Sequence, residues 1–113
     1  MIYHGVSELA GKGDGTHHLC YSAGVMVLSR EHPRRIRFRS AEPVLTPMLP
    51  LERCGTVANV VFPTGIDCRH DLGSPDRFDV HYGMADNRIG GARLDLPNSL
   101  PSGAVGALPD GRV

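Results

Sequence analysis

The chain of 113 residues has no net charge: Lys+Arg and Asp+Glu are 12 each. A general nucleic-acid binder needs a basic excess to neutralise phosphates, and a polybasic membrane anchor needs one too, so neither partner is expected. Lysine is almost absent, with Lys12 against eleven arginines. A bias spread over a whole chain reflects base composition better than function. No run approaches the roughly 20 apolar residues of a membrane span. The start, Met1-Ile2-Tyr3-His4-Gly5, has neither the basic nor the apolar region of a secretory leader. The three cysteines, Cys20, Cys54 and Cys68, are odd in number and widely spaced. A secreted disulfide scaffold would be denser and even, so reduced thiols and a cytoplasmic setting are expected.

Long amphipathic helices are missing as well. Fourteen Gly and nine Pro punctuate the chain at short intervals, and the one Leu/Ala/Glu-flavoured window, 6–10, runs into a glycine-rich stretch at 11–15. The fold class expected is therefore all-β with long loops. A hydrophobic content of 41% is too high for a disordered chain.

The apolar stretches place the strands. Residues 1–4, 18–28, 57–62, 78–82 and 89–94 read as strands, and 36–39 alternates apolar residues with Arg as a strand with one wet face would. Residues 41–50 hold Pro43, Pro47 and Pro50 and read as an extended loop. Pro63 should kink the strand that 65–69 continues. Residues 97–113 collapse to Pro, Gly, Ser and Ala and read as a flexible tail behind one domain over 1–96.

One pattern occurs twice. Ile2-Tyr3-His4-Gly5-Val6 is echoed by Val80-His81-Tyr82-Gly83-Met84, and each is followed by a glycine-led strand, at Gly24 and at Gly91. Successive blades of a propeller look like this, and so do two similar hairpins in a sandwich.

Five short stretches, in register, resemble glycoside hydrolase family 130, the mannoside phosphorylases and related hydrolases. They are Tyr3-His4-Gly5-Val6; Tyr21-Ser22-Ala23-Gly24; Ser40-Ala41-Glu42-Pro43-Val44-Leu45; Glu52-Arg53-x-Gly55 running into Asn59-Val60-Val61-Phe62-Pro63-Thr64-Gly65; and Tyr82-Gly83-x-Ala85-Asp86. The resemblance covers about residues 1–96 and fits the C-terminal portion of the family. It implies about two blades of a five-bladed β-propeller, with the N-terminal blades missing. Those blades would carry the family's general-acid Asp and its paired phosphate-binding Arg residues, so no catalytic residue is expected here. A truncated relative, a split subunit or a mis-assigned reading frame would each look like this.

The activity implied is inverting phosphorolysis or hydrolysis of β-mannosides, with inorganic phosphate as co-substrate and no metal or organic cofactor. By resemblance, His4 and Tyr21 hold phosphate, and Asp86 accepts hydrogen bonds from sugar hydroxyls; each has a plainer role as bystander, core ring or turn-former. Asn59 has a donor and an acceptor for sugar or phosphate, or caps a strand end. The alternative function is a carbohydrate-binding or protein-interaction module without chemistry. The expected protein partner is a complementing chain, or a second copy meeting this one through open strand edges. His17-His18-x-Cys20 with Cys54 and Cys68 lacks the close ligand pairs of a zinc site. The basic run at 34–39, flanked by Glu31 and Glu42, reads as a solvated strand face.

Overall fold

A computed structural model describes residues 1–10, 13, 18–73 and 75–100. Most of the glycine-rich stretch at 11–15, and the part of the expected tail beyond residue 100, lie outside the described residues.

Among the described residues, six strands form two three-stranded antiparallel sheets. The first joins β1 (Ile2–Leu9), β2 (His18–Leu28) and β3 (Ile36–Arg39), and the second joins β4 (Val61–Cys68), β5 (Arg77–Met84) and β6 (Arg88–Asp95), each in chain order. Consecutive antiparallel strands need only short connections, and the frequent Gly and Pro supply them. A four-residue helix, α1 (Pro50–Arg53), and a 3₁₀ turn at His70–Leu72 interrupt the β pattern.

Three differences from the sequence expectation have physical causes. β1 runs to Leu9, because Val6, Ser7, Glu8 and Leu9 pair with Tyr21, Cys20, Leu19 and His18 across the hairpin. Local composition does not register such pairing. Pro50, expected to close the extended loop of 41–50, instead opens the helix Pro50–Arg53, since at the first helical position its missing N–H costs nothing. β4 begins at Val61 rather than 57, because Val57, Asn59 and Val60 give their amides to Ala85, Arg53 and Glu52 instead of to a ladder.

The kink at Pro63 is present. The β4–β5 register slips between Pro63 and Gly65, which leaves Thr64 as the extra residue of a bulge. The Thr64 hydroxyl donates to the His81 carbonyl at 3.1 Å and so occupies an acceptor the bulge exposes.

The repeat is also present in register, Tyr3 opposite Gly24 as His81 is opposite Gly91, while the tyrosine of the second hairpin falls one position on. Tyr3 lies opposite Gly24 and Tyr82 opposite Gly90, not Gly91. In both pairs the tyrosine ring covers the glycine: a Cβ on Gly24 would lie 2.5 Å from the Tyr3 ring, and one on Gly90 2.8 Å from the Tyr82 ring. What recurs is this cross-strand pair, which only glycine permits.

The outer edge of β2 is paired by several segments in turn. β3 takes Met26, Val27 and Leu28, and the Ser40 amide donates to Val25. Val44 and Leu45 exchange hydrogen bonds with Ala23, and Tyr21 N donates to Asn59 O at 2.9 Å. A parallel bridge between Tyr21 and Val60 leads directly into β4. The two sheets then close over a core of Ala23, Val61, Tyr82 and Met84, flanked by Ile2, Leu45 and Ala92.

Candidate functional site

Strand alternation decides which side chains can meet. In the β1–β2 ladder Val6 faces Tyr21 and His4 faces Ala23, so His4 and Tyr21 project from one face as diagonal neighbours. Their ring centroids are 6.4 Å apart. The His4 ring also packs on Phe62 of β4, with centroids 4.3 Å apart. Tyr3, one residue earlier, lies on the opposite face.

Phe62 continues this surface onto the second sheet. Tyr21, Val57, Val60, Phe62 and Asp86 line one depression of about 400 Å³. Residues from both sheets thus share one concavity: an exposed carboxylate, a phenol and an apolar floor, with an imidazole packed beside it. Such a mixture suits a polyhydroxylated ligand, which needs acceptors and donors at the rim and apolar surface beneath.

Asp86 is carried by an unusual turn. Ala85 and Asp86 have φ values of 49° and 50°, and Asn87 N donates to Met84 O at 3.0 Å. Two consecutive left-handed residues closed by that bond form the tight turn that suits a twisted hairpin, usually built with glycine. A non-glycine residue there costs about 1 kcal/mol. Ala85 is fully buried and anchored on both sides: its amide donates to Val60 O and its carbonyl accepts from Val57 N, each at 3.0 Å. Gly55 packs so closely that a Cβ there would lie 2.6 Å from the Ala85 carbonyl oxygen.

Asn59 takes part through its main chain. It is left-handed, with φ 58°, accepts from Tyr21 N and donates to Arg53 O at 3.2 Å. Its side chain is not among the residues lining the depression. The structure therefore brings together Tyr21 and Asp86, sets His4 beside them, and gives Asn59 the junction beneath.

Sequence reasoning missed the wall residues Val57, Val60 and Phe62, and above all Glu52. That side chain is 2% exposed. Its Oε2 accepts from the amides of Met48 and Leu49 at 2.8 and 2.9 Å, and its Oε1 accepts from the Tyr82 hydroxyl at 2.7 Å. Burial alone would raise its pKa. The Leu49 and Met48 amides, the Tyr82 hydroxyl and nearby Arg53 outweigh burial and hold it below the ordinary carboxylate value. Burial and the facing carboxylate push the Tyr82 phenol up to about 12. One signal was readable: Pro50 followed by a Glu placed three residues after Leu49 is the pattern of a helix start, in which the Glu reaches back to the capping amide.

Two other features stand apart. Arg69 holds Asp71 with two bonds at 2.9 Å and also binds Asp79. This ion-pair group lies on exposed and half-exposed side chains beyond the depression. All three cysteines are free thiols, Cys20 half-buried and Cys54 and Cys68 exposed. Among the described residues, no group of three or more His, Cys, Asp or Glu side chains converges as metal ligands would, and no helix is long and apolar enough to cross a membrane.

Residues 1–99 match the model of glycoside hydrolase family 130 described as β-1,4-mannooligosaccharide phosphorylase. The chain is 35% identical over 95 residues to a β-1,2-mannobiose phosphorylase of Thermoanaerobacter, covering 84% of this chain and 27% of that protein. It is 32% identical over 88 residues to a β-1,4-mannooligosaccharide phosphorylase of Ruminococcus albus, covering 78% of this chain and 24% of that one. The fold resembles a β-1,2-mannobiose phosphorylase from Listeria innocua solved with β-1,2-mannobiose, with TM-score 0.59 and 22% identity, covering 81% of this chain and 27% of that structure. The chain thus spans about a quarter of the length of the relatives it matches.

Proposed function

The chain belongs to glycoside hydrolase family 130, and from that premise we propose that it supplies one wall of a β-mannoside phosphorylase pocket and is inactive alone. The observation that carries this is the shared depression: Tyr21 from the first sheet and Asp86 from the second line one concavity, with His4 packed on its Phe62 wall. His4 and the Tyr21 hydroxyl offer hydrogen-bond donors to phosphate, and Asp86 accepts from sugar hydroxyls. In the reaction a phosphate oxygen attacks the anomeric carbon from the face opposite the leaving group. The glycosidic C–O bond breaks, the leaving oxygen takes a proton, and mannose 1-phosphate is released with inversion. The proton donor and the arginine clamp on phosphate belong to segments this chain does not contain.

The two sheets correspond to about two blades of a five-bladed propeller, residues 1–96 forming this part. Among the described residues β1 hydrogen-bonds only to β2 and β6 only to β5 as strands, which leaves two edges available to a complementing chain or a second copy. The three free thiols accord with a cytoplasmic setting. The alternative, a carbohydrate-binding module without chemistry, uses the same depression.

The test has two arms. The purified chain, given β-mannobiose and phosphate, should release no mannose 1-phosphate, since a missing general acid alone removes roughly 10²–10⁴-fold in rate. Titration with mannose 1-phosphate should shift the NMR signals of Tyr21 and Asp86. Turnover at an enzyme's ordinary rate would overturn the incomplete-pocket proposal, and unchanged Tyr21 and Asp86 signals would overturn the pocket itself. Activity gained on adding the preceding part of a family member, separately expressed, would decide against the module.

A further inference from the structure

Glu52 does more than a helix cap requires. A cap needs an acceptor for the Met48 and Leu49 amides, which one carboxylate oxygen provides at the surface of many proteins. Here the carboxylate is buried at 2% exposure, a costly place for a charge, and its other oxygen is bound to Tyr82 in the middle of β5. Its own main chain reaches the other way. The Glu52 carbonyl accepts from Val60 N at 3.1 Å and the adjacent Arg53 carbonyl from Asn59 N at 3.2 Å. Asn59 in turn accepts from Tyr21 N, while the Val60 carbonyl accepts from Ala85 N, next to Asp86. From the Tyr21 amide the hydrogen-bonded connection enters the chain at Asn59 and reaches the Asp86 turn through Val60 on one side and Val57 on the other, and α1 fixes Asn59 and Val60.

We propose that Glu52 is the positioning residue of this site, setting the separation of Tyr21 on one sheet from Asp86 on the other through Tyr82 and the main chain of 53–60. It touches no ligand. Its carboxylate joins α1 to β5, and its carbonyl joins α1 to the junction under the depression. Only the consequence for ligand affinity rests on the phosphorylase-pocket proposal; the geometric part does not.

The informative variants, made in the full chain, are Tyr82→Phe and Glu52→Gln. Tyr82→Phe keeps the ring in the core and removes one hydroxyl, so it folds even where Glu52→Ala fails to. Three readouts apply: the backbone NMR signals of Tyr21 and Asp86, the ultraviolet titration of Tyr82, and affinity for mannose 1-phosphate. Tyr82→Phe should move both Tyr21 and Asp86 signals and weaken mannose 1-phosphate by about tenfold, the scale of one lost hydrogen bond to a charged group. Glu52→Gln keeps an acceptor for the amides and should bind more tightly than Glu52→Ala, while Tyr82 ionises nearer its ordinary value of 10.0. If Tyr82→Phe only lowers the melting temperature and leaves Tyr21, Asp86 and affinity unchanged, Glu52 merely holds the fold and the proposal is overturned. If the signals move in a chain whose wild type ignores mannose 1-phosphate, Glu52 still positions the two residues and the pocket proposal fails instead.

Discussion

The hairpins β1–β2 and β5–β6 carry the same pair, a tyrosine ring over a cross-strand glycine, and hold it with partners of opposite charge. Tyr3 accepts from Arg39 Nε at 2.9 Å, with the guanidinium carbon 5.0 Å from the ring centroid, in a half-exposed position. Tyr82, 4% exposed, donates to the buried Glu52 carboxylate. The first pair decorates a strand face, and the second is wired into the core and the Asp86 turn. One cross-strand pair thus stands in two surroundings, half-exposed in the first hairpin and buried in the second, and the buried one lies in the hairpin with the strained turn.

The largest expected separation of the two is at high pH. The folded Tyr82 phenol ionises near 12 against 10.0 unperturbed, so its neutral form is favoured by folding. The stability this gives is complete below pH 10 and lost as pH rises to 12. At ~1.4 kcal/mol per pH unit the loss reaches as much as about 3 kcal/mol. Urea unfolding at pH 9 and pH 12 should show it, and Tyr82→Phe should abolish that step. Glu52 acts on the acid side: held below its ordinary value, it contributes stability that falls away as pH drops through the carboxylate range.

Next in size is one substitution made twice. A Cβ on Gly90 meets the Tyr82 ring at 2.8 Å and the Met84 sulfur at 2.9 Å, both in the core, so Gly90→Ala should cost about 2–3 kcal/mol. The three nearest atoms to a Cβ on Gly24 all belong to Tyr3, a half-exposed ring outside the core, so Gly24→Ala should cost about 1 kcal/mol. Equal costs by chemical denaturation would mean that burial does not separate the two glycine sites.

The smallest effect has the opposite sign. Asp86 is exposed at φ 50°, so Asp86→Gly relieves backbone strain and should stabilise by about 0.5–1 kcal/mol. If Asp86 serves a sugar, the same variant loses mannoside binding. Unchanged binding with raised stability would make Asp86 a turn-former alone.

Much of this fold was legible because β structure writes its periodicity locally. The apolar run at 18–28 became β2 with those bounds, the Arg-alternating 36–39 became β3, and Pro63 marked the bulge. The shared face of His4 and Tyr21 followed from the hairpin they flank. For Glu52 the sequence offers a helix start and not its burial. No local pattern marks a charged residue beside Arg53 as buried, and only contact with Tyr82, thirty residues on, makes it an anchor. The bond from Tyr21 to Asn59 likewise spans a distance over which no local pattern carries information.

The succession of segments along the outer edge of β2 has a consequence for hydrogen exchange. Met26 is protected by the β1 side and Ser29 by the near turn at Arg35, but Ala23 and Tyr21 depend on residues 45 and 59. Their amides cannot become protected until the chain has doubled back, as far as Leu45 for Ala23 and as far as Asn59 for Tyr21, and they are exposed whenever that stretch lifts. Local opening of 44–60 should therefore release Tyr21 and Ala23 to solvent deuterium together, while Met26 stays closed. The amide behind the candidate ligand-binding phenol thus reports, residue by residue, whether the two sheets are joined.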